Sequence, residues 1–319
     1  MSTIAVVVPT YRRADALARC LDALATQSRA PDEVIVVHRA EDREAAALVA
    51  THGLRTRGTL RSVMVTTPGV VAAMQAGLDT VQSDITALTD DDCAPHPAWC
   101  AQIVAALEAR PACAGVGGRD WQPIERGVRE PVGCLTWYGR VFGNHHLGGG
   151  PARAVDILKG ANAAFRTALL RAIGFDHRLL GSGAQQHWEL ALCLPLRAAG
   201  WSLWYDPAIA VDHHIAPRHD ADTTHRGRFA EGPHAEAVSN ETRLLLEALS
   251  PLRRVAFILW CVLIGAGNAP GLVQRVRLAF LSREADPGAV WRATWQGRRD
   301  GWRRWRNEPV RRVHLPAPR

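Results

Sequence analysis

Ile85-Thr86-Ala87-Leu88-Thr89 runs directly into Asp90-Asp91-Asp92. The first five residues read as a short buried strand. The next three are adjacent carboxylates, which repel one another unless a cation lies among them. In an open α/β sheet, ligands bind beyond the carboxyl ends of the strands. Hard divalent ions such as Mg²⁺ or Mn²⁺ take oxygen ligands and bridge to substrate phosphates. The bland alternative is a solvated acidic turn. The position of the triplet at a strand end favours the metal reading.

Working outward, strands and helices alternate on both sides of this stretch. Ile4 to Val8 is a continuous apolar run, as in a buried parallel strand. Ala14 to Gln27 follows, with Leu17, Leu21 and Leu24 at helical spacing. Strands are predicted at Val34 to Val37, Ser62 to Val65 and Ala114 to Gly117, and helices at Asp42 to His52, Gly69 to Gln82 and Pro97 to Arg110. This alternation, with short connections, predicts an α/β fold: a Rossmann-like, mostly parallel sheet flanked by helices. From Arg119 to Val155 the periodicity fades into a long loop region. Helical signals return at Ala163 to Ile173 and Trp188 to Ala199, followed by a strand at Ser202 to Tyr205. The polar, His-rich stretch from Asp212-His213-His214 to Gly232 reads as a loop, and Ala235 to Leu249 as a helix. No internal repeat is found.

The opening strand ends in Pro9-Thr10-Tyr11-Arg12-Arg13. Thr10 and Tyr11 lie at a second strand's carboxyl end, where they can hold a base or ribose. Arg12 or Arg13 can neutralise phosphate. Alone, this would be an ordinary strand–helix turn.

The 319 residues carry a net charge of +7, almost all of the positive charge being arginine, with Lys159 the only lysine. From Arg275 onward twelve arginines face four acidic residues, so the rest of the chain is near neutral. A basic tail on a neutral body suggests an anionic surface as partner. The seven cysteines are irregularly spaced and form no C-x-x-C pair, which points away from a disulfide framework and from a structural zinc site. The start, Met1-Ser2-Thr3 and then a short apolar run, does not read as a signal peptide, so a reducing cytoplasm is expected.

Residues 255 to 273 contain no charge, and the first part of the run is strongly apolar. A span needs about 20 apolar residues. A buried helix, a shallow re-entrant segment and a true span all remain open readings. Beyond Pro287, Trp291, Trp295, Trp302 and Trp305 fall within about 80° on a helical wheel, with most arginines pointing elsewhere. That is the pattern of an in-plane interfacial helix, with packing of the Trp face onto the body as the alternative. Gly297 and Gly301 weaken the helix reading.

Taken together, these features resemble the family 2 glycosyltransferases of the GT-A fold, from Ile4 to about His214. The opening strand with Pro9-Thr10-Tyr11, the segment Gln27 to Val37, and Gly69 to Asp92 match in order. Lys159-Gly160-Ala161-Asn162-Ala163-Ala164-Phe165-Arg166 and Gly174-Phe175-Asp176 resemble the acceptor-side motif. Leu190 to Trp201, Tyr205-Asp206-Pro207 and Val211-Asp212-His213 resemble the closing segment. The resemblance implies a nucleotide-sugar donor bound by Pro9, Thr10, Tyr11, Arg13, Gly69, Asp90 and Asp91. It implies Mn²⁺ or Mg²⁺ held by Asp92 with His213 near it, and an acceptor side built from Lys159, Gly160, Asn162 and Trp188.

Three departures matter. The acidic residues that the family places after its second strand are replaced by His38-Arg39-Ala40-Glu41-Asp42, leaving Asp42 to reach the base from a longer loop. An Arg-Asn pair is replaced by Met74-Gln75. The stretch that carries the family's acidic base reads Gly183-Ala184-Gln185-Gln186-His187-Trp188-Glu189. His187 and Glu189 are therefore both candidates for the general base.

The resemblance implies inverting transfer of a sugar, and together with the basic, apolar tail it leads to the expectation of a glycan or lipid-linked acceptor at the inner face of the cytoplasmic membrane. Residues 1–232 would form the catalytic domain and 233–319 a helical, membrane-associating extension. A catalytically impaired scaffold is the alternative from another class. No glycine-rich, lysine-bearing loop follows the first strand, which argues against a nucleotidyltransferase, and no nucleic-acid motif accompanies the Arg/Trp tail.

Overall fold

A computed structural model of the chain describes residues 1–123, 127–220, 229–281 and 286–318. β1 (Ile4–Thr10), β2 (Glu33–Arg39), β3 (Leu60–Val65) and β4 (Ile85–Thr89) lie parallel in the order β3-β2-β1-β4. They are connected through α1 (Ala14–Ala25), α2 (Arg43–Thr51), the single turn α3 (Gly53–Thr56) and α4 (Val70–Thr80). β5 (Cys93–Pro95), α5 (Trp99–Glu108) and β6 (Cys113–Trp121) follow. A small hairpin, β7 (Cys134–Leu135) with β8 (Val141–Phe142), and β9 (Arg153–Val155) fall in the region predicted as loop. β10 (Asn162–Arg166), α6 (Thr167–Ile173), α7 (Trp188–Ala198) and β11 (Ser202–His213) complete the sheet, whose order continues β4-β10-β6-β11-β5.

The central strands are apolar on both faces because both are covered. Val7, Ile35, Val37 and Leu88 face α4, α6 and α7, while Val6, Val8, Val34 and Val36 face α1, α2 and α5. The alternation of a strand's side chains thus divides one sheet between two cores.

Two predictions are corrected here. The helix expected at Ala163 to Ile173 begins only at Thr167. Its first part is β10, antiparallel to both β4 and β6, with Ala164 opposite Ala87 and Val116. The alanine-rich local sequence favours helix, but β4 and β6 would otherwise leave their backbone groups unpaired in the interior. The strand at Ser202 to Tyr205 is the beginning of β11, which continues to His213 through an irregularity between Asp206 and Ala210.

The C-terminal part comprises α8 (Glu231–Ala248), α9 (Pro251–Leu263), α10 (Leu272–Leu281) and α11 (Pro287–Asn307). α8 starts just ahead of the expected boundary at residue 232. It packs into the body through Arg243, which is fully buried and pairs with Asp176 at 3.0 Å. The uncharged run of 255 to 273 is not one helix. Gly265, at φ +72, turns the chain between α9 and α10. No helix among the described residues is long and apolar enough to cross a membrane. The His-rich stretch falls partly on residues 221–228, outside the described residues.

α11 forms despite its glycines, and the glycines explain how it packs. A Cβ on Gly297 would lie 2.4 Å from the Ala235 carbonyl oxygen, and one on Gly301 2.6 Å from that of Ser239. The face pressed onto α8 is therefore the small one (Ala289, Ala293, Gly297, Gly301) rather than the tryptophan stripe. Trp302 remains 40 % exposed.

Candidate active site

Parallel pairing of β1 with β4 sets Val7 opposite Leu88 and so brings the ends of the two strands together. The Thr10 hydroxyl donates to Asp91 Oδ2 at 2.6 Å. Arg13, entering α1, places its guanidinium 2.5 Å from Asp91 Oδ1 and 3.2 Å from Asp92 Oδ2. Asp91 is fully buried, and burial pushes its carboxyl up to about 7 against the opposing charge of Arg13. The expected donor contact at Asp91 is therefore corrected: this carboxylate turns inward and braces β4 against β1 and Arg13.

β5 and β11 pair with Cys93 opposite His213. One ligand atom from each of Asp90, Asp92, Cys93 and His213 lies within 4.8 Å of the others. His213 Nε2 is 3.3 Å from Asp92 Oδ1, and its Nδ1 is 3.4 Å from Asp120 Oδ2. Burial disfavours the imidazolium, but hydrogen bonds to Asp120 and Asp92 and the charges of Asp92 and Asp90 raise His213 to about 9. Burial likewise pushes Asp92 up, yet His213, Arg13 and the Ala216 N–H outweigh it and hold the carboxyl well below the ordinary value. Burial drives the Cys93 thiol far upward, so it stays neutral. The usable donors are then carboxylate oxygens and one imidazole, a set that fits Mn²⁺ or Mg²⁺ rather than a soft ion. The proton held on His213 is one that a bound divalent ion would displace.

Asp120 was missed in the sequence. Its side chain is fully buried at the end of β6, ion-paired to Lys159 and hydrogen-bonded to His213. The available signal was a carboxylate three residues beyond the predicted strand Ala114 to Gly117, at the start of a region without periodicity.

Thr10, Arg13, Asp90, Lys159 and His213 of this set open into a cleft of about 980 Å³, with Asp92 and Asp120 buried behind them. Pro9, Thr10, Tyr11, Arg13, Gly69 and Asp90 line one part of it, and Lys159, Gly160, His187, Trp188, Glu189 and His213 another. Gly69 adopts φ +107 at the start of α4, and a Cβ there would lie 2.2 Å from Gln185 Oε1. Gln185 in turn accepts the Val71 N–H at 3.0 Å, tying the donor-side turn to the loop before α7. Arg12 and Arg39 flank the Tyr11 ring at 5.1 and 5.6 Å.

Glu189 sits in the first turn of α7 and accepts the Gly160 N–H at 3.3 Å. Burial raises its pKa, partly opposed by backbone N–H groups and by His187. His187 caps α7 in a left-handed conformation, at φ +74. The Trp188 indole packs beneath Gly160, where a Cβ would lie only 2.1 Å away. Asn144, His145, His146 and Arg218 also line the cleft and carried no readable signal in the sequence.

Two further expectations are corrected. Asp42 does not line the cleft: it accepts the Arg12 N–H at 2.5 Å and caps α2 through Ala45 N at 3.2 Å. Asn162, 1 % exposed, ties strands together, accepting from Trp99 and donating to the carbonyls of Arg119 and Ile209. Both fill hydrogen-bonding demands created by buried backbone and side-chain groups.

A sequence profile described as Glycosyltransferase like family 2 matches residues 2–232. Among curated proteins no match is found. Among solved structures, the chain is similar to the mannosyltransferase PcManGT from Pyrobaculum calidifontis, in complex with GDP-Man and Mn²⁺. The TM-score is 0.52 and the identity 16 %, covering 96 % of this chain and 88 % of that one. GalNAc-T7, solved with UDP, GalNAc and Mn²⁺, gives a TM-score of 0.61 at 12 % identity, covering 97 % of this chain and 57 % of its own. S. aureus TarS gives 0.55 at 15 % identity, covering 88 % of this chain and 46 % of its own. At these identities the structural likeness speaks for the GT-A fold, while the profile covers most of the chain, and the protein belongs to the family 2 glycosyltransferases.

Proposed function

We propose that this glycosyltransferase moves a sugar from a nucleotide-sugar donor to a glycan or lipid-linked acceptor, with inversion, at an anionic membrane surface. The observation that carries the reading is the placement of two unlike groups in one cleft. A carboxylate–histidine cluster that reaches the cleft through Asp90 and His213, with Asp92 buried behind them, and the half-buried carboxyl of Glu189 share it.

Asp92 and His213, with Asp90 beside them, would hold Mn²⁺ or Mg²⁺. Such an ion supplies positive charge to the diphosphate as it leaves. Arg13 and Lys159 add fixed cationic charge on either side of the cluster. Pro9, Thr10, Tyr11 and Gly69 border the space for the nucleoside.

For the base, Glu189 is favoured over His187. Partial burial raises its carboxyl, and the Gly160 N–H holds it in a cleft wall shared with Lys159 and Trp188. In the reaction, the acceptor hydroxyl passes its proton to the Glu189 carboxylate, and its oxygen bonds to the anomeric carbon. The bond to the diphosphate breaks on the opposite face and takes the electron pair with it. The position of Glu189 in the cleft supports the enzyme reading over a catalytically impaired scaffold.

The test is a thermal-shift and calorimetric panel of nucleoside diphosphates and their sugars, with and without Mn²⁺. A ligand at 100 times its Kd should stabilise the fold by about 2.7 kcal/mol. Failure of every common nucleotide to bind, with or without metal, would refute the reading.

A further inference from the structure

The tryptophan stripe of α11 was the sequence's candidate for a lipid-facing surface. The structure moves that role elsewhere. Val255, Leu259 and Leu263 repeat every fourth residue along α9, and Val273, Val276 and Phe280 run along one side of α10. All six side chains are exposed, from 50 % at Leu263 to 84 % at Phe280. The opposite side of α9 is spent, with Phe257 and Cys261 packed against Leu245, Leu246 and Leu249. Soluble proteins rarely leave two adjacent helices with apolar faces uncovered.

We propose that the outer faces of α9 and α10 seat on an anionic lipid surface as an in-plane anchor that does not span the bilayer. This inference rests on the reading above that the acceptor is met at a membrane, and it names the surface that makes the contact.

Charge complementarity selects the occupant. No acidic residue occurs from 251 to 281, while Arg253, Arg254, Arg275 and Arg277 flank the apolar run. Arg253 donates to the carbonyls of Trp137 and Thr136 and Arg254 lies over Trp305, so the exposed charge of this face is that of Arg275 and Arg277. A second copy docking through the same face would bring those two arginines against their copies with no carboxylate on α9 or α10 to meet them. An isologous pair therefore repels itself. A phosphate headgroup layer supplies the missing negative charge, at about 1 kcal/mol for each arginine near the surface.

Shape agrees with charge. Neither helix is long enough to cross a bilayer. The turn between them is tight: at Gly265 a Cβ would lie 2.1 Å from Gly271 N, so the two helices are separate segments rather than a continuous rod. Trp137, 64 % exposed, joins this region through the bond from Arg253 Nε to its carbonyl oxygen at 2.8 Å. An aromatic ring beside arginines and an apolar stripe is the usual composition of a surface at headgroup depth.

The experiment is vesicle flotation of the full chain on phosphatidylcholine vesicles, with and without phosphatidylglycerol, alongside the mass in solution by light scattering. Wild type should float with the anionic vesicles, weakly with the neutral ones, and less at high salt. R275Q/R277Q should lower the partition about fivefold per arginine. L259S/V276S/F280S should lower it more than roughly tenfold. Both variants should retain Mn²⁺-dependent nucleotide binding, which shows that they fold.

Wild type that floats with neither vesicle overturns the proposal. So does a serine variant that floats as well as wild type. A stable wild-type oligomer that the serine variant dissolves, with no flotation, would assign the face to a second copy instead. Nucleotide binding is read in the same samples without vesicles, so its failure would sink the reaction while leaving the lipid result to be judged by itself.

Discussion

Replacing Glu189 with Gln tests the proposed chemistry with little structural disturbance. Glutamine keeps the shape and an oxygen that can accept the Gly160 N–H, now 3.3 Å from Glu189 Oε1, so the first turn of α7 should remain in place. What disappears is the proton acceptor. A positioned general base contributes about 10²–10⁴ in rate, or about 3–5 kcal/mol of barrier. We expect E189Q to lose that factor in kcat, measured as nucleoside diphosphate released from the matching sugar nucleotide, while donor binding by calorimetry stays within about threefold. The pH profile gives an independent reading. Burial raises the Glu189 carboxyl above its ordinary 4.5, and only the ionised form accepts a proton. In wild type, kcat/KM should therefore be flat above the raised pKa and fall tenfold per unit below it, with the acid limb above that of an exposed glutamate. E189Q should lose this limb. The reasoning fails if E189Q retains kcat within about tenfold, or if H187A removes activity and E189Q does not.

Other changes probe the cluster and the frame around it. Asp92→Asn keeps an oxygen for the Ala216 N–H, now at 2.9 Å, but lacks the charge that binds metal. It should cost more than roughly 100-fold in Mn²⁺-dependent nucleotide affinity with an unchanged circular dichroism spectrum. Gly297→Leu drives a side chain into the Ala235 carbonyl, 2.4 Å from the ideal Cβ, and backbone cannot yield. Thermal unfolding should show at least about 1–3 kcal/mol of destabilisation. Arg243→Met removes one of the two arginines that pair with the buried Asp176 carboxylate, at 3.0 Å, and leaves Arg178 at 2.8 Å as its remaining partner. Because Arg178 still neutralises Asp176, the cost by chemical denaturation should be that of a lost charge-assisted hydrogen bond, about 1.5–3 kcal/mol at neutral pH. Arg178 and Arg243 outweigh the effect of burial and hold Asp176 below its ordinary 3.8. Its contribution is therefore full above that pH and lost on acidification, so the difference between wild type and variant should narrow as pH falls.

The fold was legible from β1 to α5 because its signals are local. Val6-Val7-Val8 and Val34 to Val37 are apolar runs that suit only strands buried on both faces, and Leu17, Leu21 and Leu24 mark a helix by spacing alone. β10 was not legible. Asn162 to Arg166 becomes a strand because β4 and β6 need a partner, a demand made by residues far away in the chain. The same reason explains Asp91, Asp42 and Asn162. Each is a polar residue at a plausible position, and each is consumed by a buried neighbour that only tertiary contact reveals.

By itself, the order of residues determined the alternation of strands and helices, the acidic end of β4 and the membership that follows from them, since each is written in a few neighbouring side chains. Tertiary structure alone decided which carboxylate of the triplet turns inward, that Asp120 stands behind His213, and that α11 presents glycine rather than tryptophan to α8. Those outcomes depend on pairing register and close backbone approach, and both are set by groups far apart in the chain competing for the same small space.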